Sequence, residues 1–143
     1  MKSRIGISSK IITISFFLLA LLLAACGSSP SAAIPPGTYT ATFTASDNIQ
    51  VGDSLMTGTS SITFTESGEF TVIAPEATIT GRYTVDGDRV KFDEGTGTFP
   101  CEDVPVSEYA WELNGNSLTF STVEDSCYPR TLAMTIKPYM KEE

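Results

Sequence analysis

Few residues in this chain could do chemistry. Histidine is absent from all 143 residues, which removes the usual general base and the commonest metal ligand. No serine stands in a Gly-x-Ser-x-Gly elbow. Acid and base work would fall to carboxylates such as the adjacent Glu102 and Asp103. Neighbouring surface acids are common, however, and nothing in the sequence gives these a cleft. The expectation is a protein that is not an enzyme and needs no cofactor. Acids could instead hold a cation, with Asp93, Glu94, Glu102 and Asp103 as candidates. No calcium loop of alternating acids and glycine is present, Asp86-Gly87-Asp88 is better explained as a turn, and solvated acidic loops are the plainer reading.

The three cysteines depend on compartment. The chain opens Met1-Lys2-Ser3-Arg4, adds a cation at Lys10, and runs apolar from Ile11 to Ala25 without a charge, the pattern of a secretory signal peptide. That run falls short of the ~20 apolar residues that span a bilayer comfortably. It ends in Leu23-Ala24-Ala25-Cys26, which resembles the lipobox of bacterial lipoproteins. The resemblance implies removal of residues 1–25, lipidation of Cys26, and a membrane anchor that holds the chain outside the cytoplasm, on the cell membrane or an outer membrane. Several acyl chains make such an anchor durable, since each buried methylene adds about 0.8 kcal/mol. An ordinary signal with Cys26 present by chance is the alternative. Residues 26–36, rich in Ser, Ala and Pro, read as the lipidated cysteine and a flexible tether.

With Cys26 spent on lipid, Cys101 and Cys127 form an even pair in a compartment that permits oxidation, and a disulfide is the natural reading. Beyond the cut lie all seventeen acids and six bases, a formal net charge of −11. Nucleic-acid binding is therefore not expected. The partners left are the membrane, through the lipid, and a small hydrophobic ligand; the sequence names no protein partner.

From Gly37 onward apolar residues alternate with Thr and Ser, the period of half-buried strands. The alternation predicts strands near 37–45, 58–65, 69–74, 77–85, 88–93, 106–113, 116–123 and 131–137, and no helix. Asp86-Gly87 and Asn114-Gly115 are two-residue hairpin signals, and Glu66-Ser67-Gly68 suits a three-residue loop. Partners across a hairpin must share a face. Trp111 should meet Leu118 and Tyr109 Phe120; Tyr83 should meet Val90 and Gly81 Phe92; Phe64 should meet Phe70 and Ile62 Val72. Tyr39, Ala41, Phe43, Ile79, Leu132, Met134 and Ile136 continue that face. Such a face is hidden by rolling up the sheet or stacking two. The fold expected for 37–143 is all-β, an eight-stranded antiparallel up-and-down barrel, with a β-sandwich as the alternative.

The domain resembles the lipocalins, especially small secreted bacterial lipocalin-like domains. Gly37-Thr38-Tyr39 sits where lipocalins carry Gly-x-Trp on the first strand, and Arg130 would pack across the Tyr39 ring. Gly81-x-Tyr83-x-Val85-x-Gly87-Asp88, Tyr109-x-Trp111 and Asp125-x-Cys127 also resemble a pattern in such proteins. The resemblance implies a barrel at the cell envelope that binds a small apolar or amphipathic ligand. Tyr39, Phe43, Phe64, Phe92, Tyr109, Trp111, Phe120 and Met134 would then line a pocket or simply fill the core. The rival is a filled barrel that meets another protein through its loops. Long connections would gather at one rim with Cys101, Cys127 and nine of the acids, under a lid made by Leu55 and Met56. The tether would leave from the tight-turn end.

Overall fold

In the computed structural model, which describes residues 33–75, 77–98, 101, 104 and 106–143, the period-two segments become strands. In chain order these are β1 (Gly37–Phe43), β2 (Gln50–Val51), β3 (Ser54–Leu55), β4 (Gly58–Phe64), β5 (Glu69–Ala74), β6 (Ala77–Asp86), β7 (Arg89–Thr98), β8 (Ser107–Asn114), β9 (Ser117–Glu124) and β10 (Tyr139–Lys141). Eight of them close into one barrel, in the order β1-β10-β9-β8-β7-β6-β5-β4. Each pairs antiparallel with its neighbour in sequence once the separate β2–β3 hairpin is set aside. The barrel is therefore up-and-down, and a single closed sheet replaces the sandwich alternative. The expected signal segment 1–25, Cys26 and the expected tether up to residue 32 lie outside the described residues.

Registers follow the expected faces with one systematic difference. Phe64 opposes Phe70 and Ile62 opposes Val72, as the sequence implies, with Gly68 left-handed at φ 78°. In the other two hairpins the partners slide by two residues: Trp111 opposes Phe120 and Leu113 opposes Leu118, while Tyr83 opposes Phe92 and Val85 opposes Val90. The loop residues are Gly87-Asp88 and Gly115-Asn116. Glycine comes first in each, at φ 59° and 61°, where one primed turn type requires it. A slip of two preserves the face, because the side-chain period is two. Gly81 lies opposite Phe70 instead of Phe92, and a Cβ there would sit 2.7 Å from the Phe70 ring.

The last predicted strand is a helix. Residues 131–137 fall largely within α1 (Tyr128–Thr135), and the barrel is closed by the three-residue β10. Pro129 in the first turn has the fixed φ that suits a helix start, and the Thr131 N–H bonds the Cys127 carbonyl. The apparent alternation of Leu132, Met134 and Ile136 is thus overruled. Helical spacing turns Arg130, Ala133 and Met134 toward the barrel interior and leaves Ile136 exposed. Arg130 does not pack on Tyr39. That role passes to Lys141 on β10, opposite Tyr39 in register, whose Nζ lies 5.8 Å from the ring centroid.

Aromatic rings fill much of the barrel. Phe92 makes edge or tilted contacts with Phe64, Phe70, Tyr109 and Phe120 at centroid distances of 6.2, 5.0, 6.1 and 6.3 Å, geometries that the ring quadrupole favours. Ile34, read from sequence as tether, is 1% exposed and belongs to this core. The Tyr39 hydroxyl donates to the Pro35 carbonyl at 2.9 Å and ties the same segment down.

The candidate site in the barrel mouth

Antiparallel order puts the tight turns β4–β5, β6–β7 and β8–β9 at one end of the barrel. The β1–β4, β5–β6, β7–β8 and β9–β10 connections share the other, which forms the mouth. Cys101 and Cys127, from two of those connections, are joined by a disulfide with Cα atoms 5.8 Å apart. The expected crosslink between two loops of one rim is present.

Beside it lies a buried ion pair. The Asp125 side chain has no exposed surface. Its Oδ2 accepts from Arg130 Nε at 2.7 Å, and its Oδ1 accepts from Arg130 Nη2 at 2.7 Å and from the Cys127 N–H at 2.8 Å. The Tyr109 hydroxyl also donates to Oδ2. Four donors saturate the carboxylate. Burial alone would raise the Asp125 pKa, but the Arg130, Tyr109 and Cys127 hydrogen bonds outweigh it and hold the group below its ordinary value. Tyr109 is pushed far up, by burial first and then by the Asp125 carboxylate. Burial lowers the pKa of Arg130, but Asp125 more than compensates and leaves it raised. A third bond, from Arg130 Nη1 to the Val104 carbonyl at 3.0 Å, ties α1 to the disulfide-bearing β7–β8 connection.

Below the pair the barrel holds a cavity of about 70 Å³. Phe70, Phe92, Tyr109 and Ile62 form its deeper wall, while Ala74, Ala77, Gly95 and Ala133 border it with small side chains. The polar residues in its lining are Arg130, Tyr109, Tyr139, Ser60 and Ser107. Ser60 and Ser107 are both 2% exposed, and Ser60 lies in hydrogen-bond reach of the Tyr139 hydroxyl.

The structure divides the residues that sequence suggested. Phe92, Tyr109 and Met134 line the cavity. Tyr39, Phe43, Phe64 and Phe120 are buried core and do not. Trp111 packs against that core half-buried, with its Nε1 buried and unpartnered. Of the two lid residues, Met56 lines the cavity, but Leu55 is 42% exposed on β3 and covers nothing there. A lid is therefore reduced to Met56, which is placed by its N–H bond to the Ile49 carbonyl.

Of the cation candidates only the Asp93 side chain falls among the described residues. Among the described residues no group of three or more acids or cysteines could hold a metal. Asp93 lies 3.3 Å from Lys91, whereas Glu102, Asp103 and the side chain of Glu94 lie outside the described residues. Two further rim acids are taken by bases: Asp125 as above, and Asp47 by Lys137 at 2.6 Å, which with the Thr44 N–H lowers the Asp47 pKa. Sequence reasoning missed Ser60, Ser107 and the Arg130 to Asp125 pairing. Only the five-residue spacing of the last two signalled it, and that pattern fits a helix start better than the strand expected there.

Fold and site together define a class: a closed up-and-down barrel, packed with rings in its depth and hollow beneath one rim. No protein-family model matches the chain, and no curated protein and no solved structure matches it either.

Proposed function

We propose that the protein is a non-catalytic, lipid-anchored domain of the cell envelope that binds a small apolar or amphipathic molecule in the mouth of its barrel. The cavity carries this reading. An eight-stranded barrel has room for little more than its own side chains, and here rings use that room in the depth while alanines and a glycine leave it open near the rim. A volume of about 70 Å³ exceeds the ~10–15 Å³ needed for one water and falls below the ~300 Å³ of the smallest drug-sized sites. The ligand is thus compact, or it enters by one end. The anchor reading rests on the lipobox and is supported by the disulfide, which suits an oxidising compartment.

Native mass spectrometry of the protein purified from its own host tests the binding. A co-purifying small molecule is expected, and it should be lost from an Ala133→Leu variant that fills the cavity. A protein that is empty as isolated and unmoved in Tm by apolar probes would refute the proposal. For the anchor, Cys26→Ser should move the chain from the membrane to the soluble fraction; unchanged membrane association would refute it.

The rival reading, contact with another protein through the loops, draws on Tyr128, 69% exposed, with Val106 and Val123 also exposed near the disulfide-bearing rim. Photo-crosslinking from position 128 separates the two. Capture of one partner that survives cavity filling favours the rival.

A further inference from the structure

The polar side chains around the cavity bond to one another and to the backbone. Arg130 turns its N–H groups to both Asp125 oxygens, to the Val104 carbonyl and to Tyr109, and the Tyr109 hydroxyl donates to Asp125. The Tyr139 hydroxyl donates to the Ala133 carbonyl at 3.2 Å and has Ser60 beside it. Among the described residues, the buried side-chain nitrogen and oxygen atoms without a partner are Trp111 Nε1 and Thr131 Oγ1, and neither residue lines the cavity. An oxygen or nitrogen carried inside therefore loses its water and meets no orphaned group to replace it. A methylene instead meets Phe70, Val72, Ile79 and Phe92, and each one that leaves water raises affinity about fourfold.

Size sets how much hydrocarbon enters. A dry apolar cavity of ~150 Å³ takes benzene, so about 70 Å³ takes about half as much, a run of about three carbons. Even at the best affinity per atom that tiny ligands reach, so few atoms hold a whole molecule only at about millimolar strength. A ligand bound more tightly than that is longer than the cavity and keeps its remainder outside. Met56 and Met134 border the same space, and their flexible thioether chains mould to an irregular guest.

We infer that the mouth of the barrel holds an amphiphile by the end of its alkyl chain, to a depth of about three carbons, and leaves the head group in water. The inference rests on the ligand-binding reading above and names the part of the ligand that the cavity takes. Arg130 and Asp125 neutralise each other at 2.7 Å, so this pair favours neither sign of head group.

Hexanol, the hexanediol with a hydroxyl at each end, hexanoate and octanol test it on the full chain carrying Cys26→Ser, so that neither acyl chain nor detergent competes. Affinity is read by titrating the labelled methyl resonances of Met56 and Met134. Hexanol should bind at least ~10-fold more tightly than the diol, whose far hydroxyl has to enter unpartnered. Hexanoate should come within about threefold of hexanol at physiological salt, since its charge stays in screened solvent. Octanol should gain less than about fourfold over hexanol, against about 16-fold if both further methylenes were buried. Ala133→Leu, or Ala74→Leu if the first fails to fold, should abolish binding. If the diol equals hexanol, if hexanoate differs from it by more than about tenfold, or if octanol gains the full ~16-fold, while cavity filling still abolishes binding, the chain-end inference is wrong and the cavity reading stands. If no probe binds, or if binding survives cavity filling, both fail.

Discussion

Asp125 is held from four directions in a place where water does not reach its side chain, and its partner Arg130 is itself only 18% exposed. Removing one member of such a pair strands the other charge, which costs far more than the pair is worth intact. Asp125→Ala should therefore lower stability by about 3 kcal/mol, measured by urea denaturation; a loss within error would mean that the pair is decorative. Acid should reproduce part of the effect. The folded Asp125 pKa lies below its ordinary value, so its contribution is complete above about pH 4 and drains away as pH falls through the depressed folded value. Tm measured from pH 5 down to pH 2 should fall less steeply in Asp125→Asn than in the natural protein. Equal slopes would assign the acid sensitivity elsewhere.

At the scale of elements, the disulfide joins the β7–β8 connection to the residue just ahead of α1. Its 26-residue separation is worth about 3–4 kcal/mol in the chain-entropy model. The Cys101→Ser, Cys127→Ser double variant should lose about that much in denaturant titrations and keep the β signal in circular dichroism. This scale also marks what the sequence could reveal. Seven barrel strands were legible because a half-buried strand writes its burial in every second residue, as in Tyr39, Ala41 and Phe43, or Ile62 and Phe64. The hairpin slips arose because Asp-Gly and Asn-Gly allow glycine either loop position, and a shift of two leaves every face unchanged. The segment 131–137 misled because Leu132, Met134 and Ile136 alternate by chance, whereas the three residues of β10 are too few to display a period. Half the site was readable, since Phe92, Tyr109 and Met134 lie on inward-facing strand or helix positions. Ser60 and Ser107 were passed over because serine by type signals the solvent face, although each stands two residues before an inward side chain, Ile62 and Tyr109, and the period of two places both inside.

Over the whole molecule, four tyrosines share one electrostatic condition. Tyr39, Tyr83, Tyr109 and Tyr139 all have raised pKa values, with burial as the leading cause, and Tyr139 is pushed up to about 12. The folded protein keeps phenol protons that the unfolded chain releases near pH 10. Stability is therefore whole below that pH and is lost as pH climbs toward the folded values. Tm should drop steeply above about pH 10, with tyrosinate absorbance for these four rising together with unfolding; absorbance that rises while the barrel stays folded would contradict this. Closure of the barrel has a separate consequence, for folding. The seam is sealed by β10, which shares two residue pairs with β1 and two with β9, and β1 and β10 are the most widely separated partners along the chain. Until Tyr139–Lys141 docks, the molecule is a ribbon with two raw borders, the kind of surface that recruits other chains. Folding should accordingly be slow, on the order of milliseconds to seconds as for other topologies dominated by distant pairings. A chain cut before Tyr139 should emerge from size-exclusion chromatography as large associates, because the cylinder can never be rolled shut.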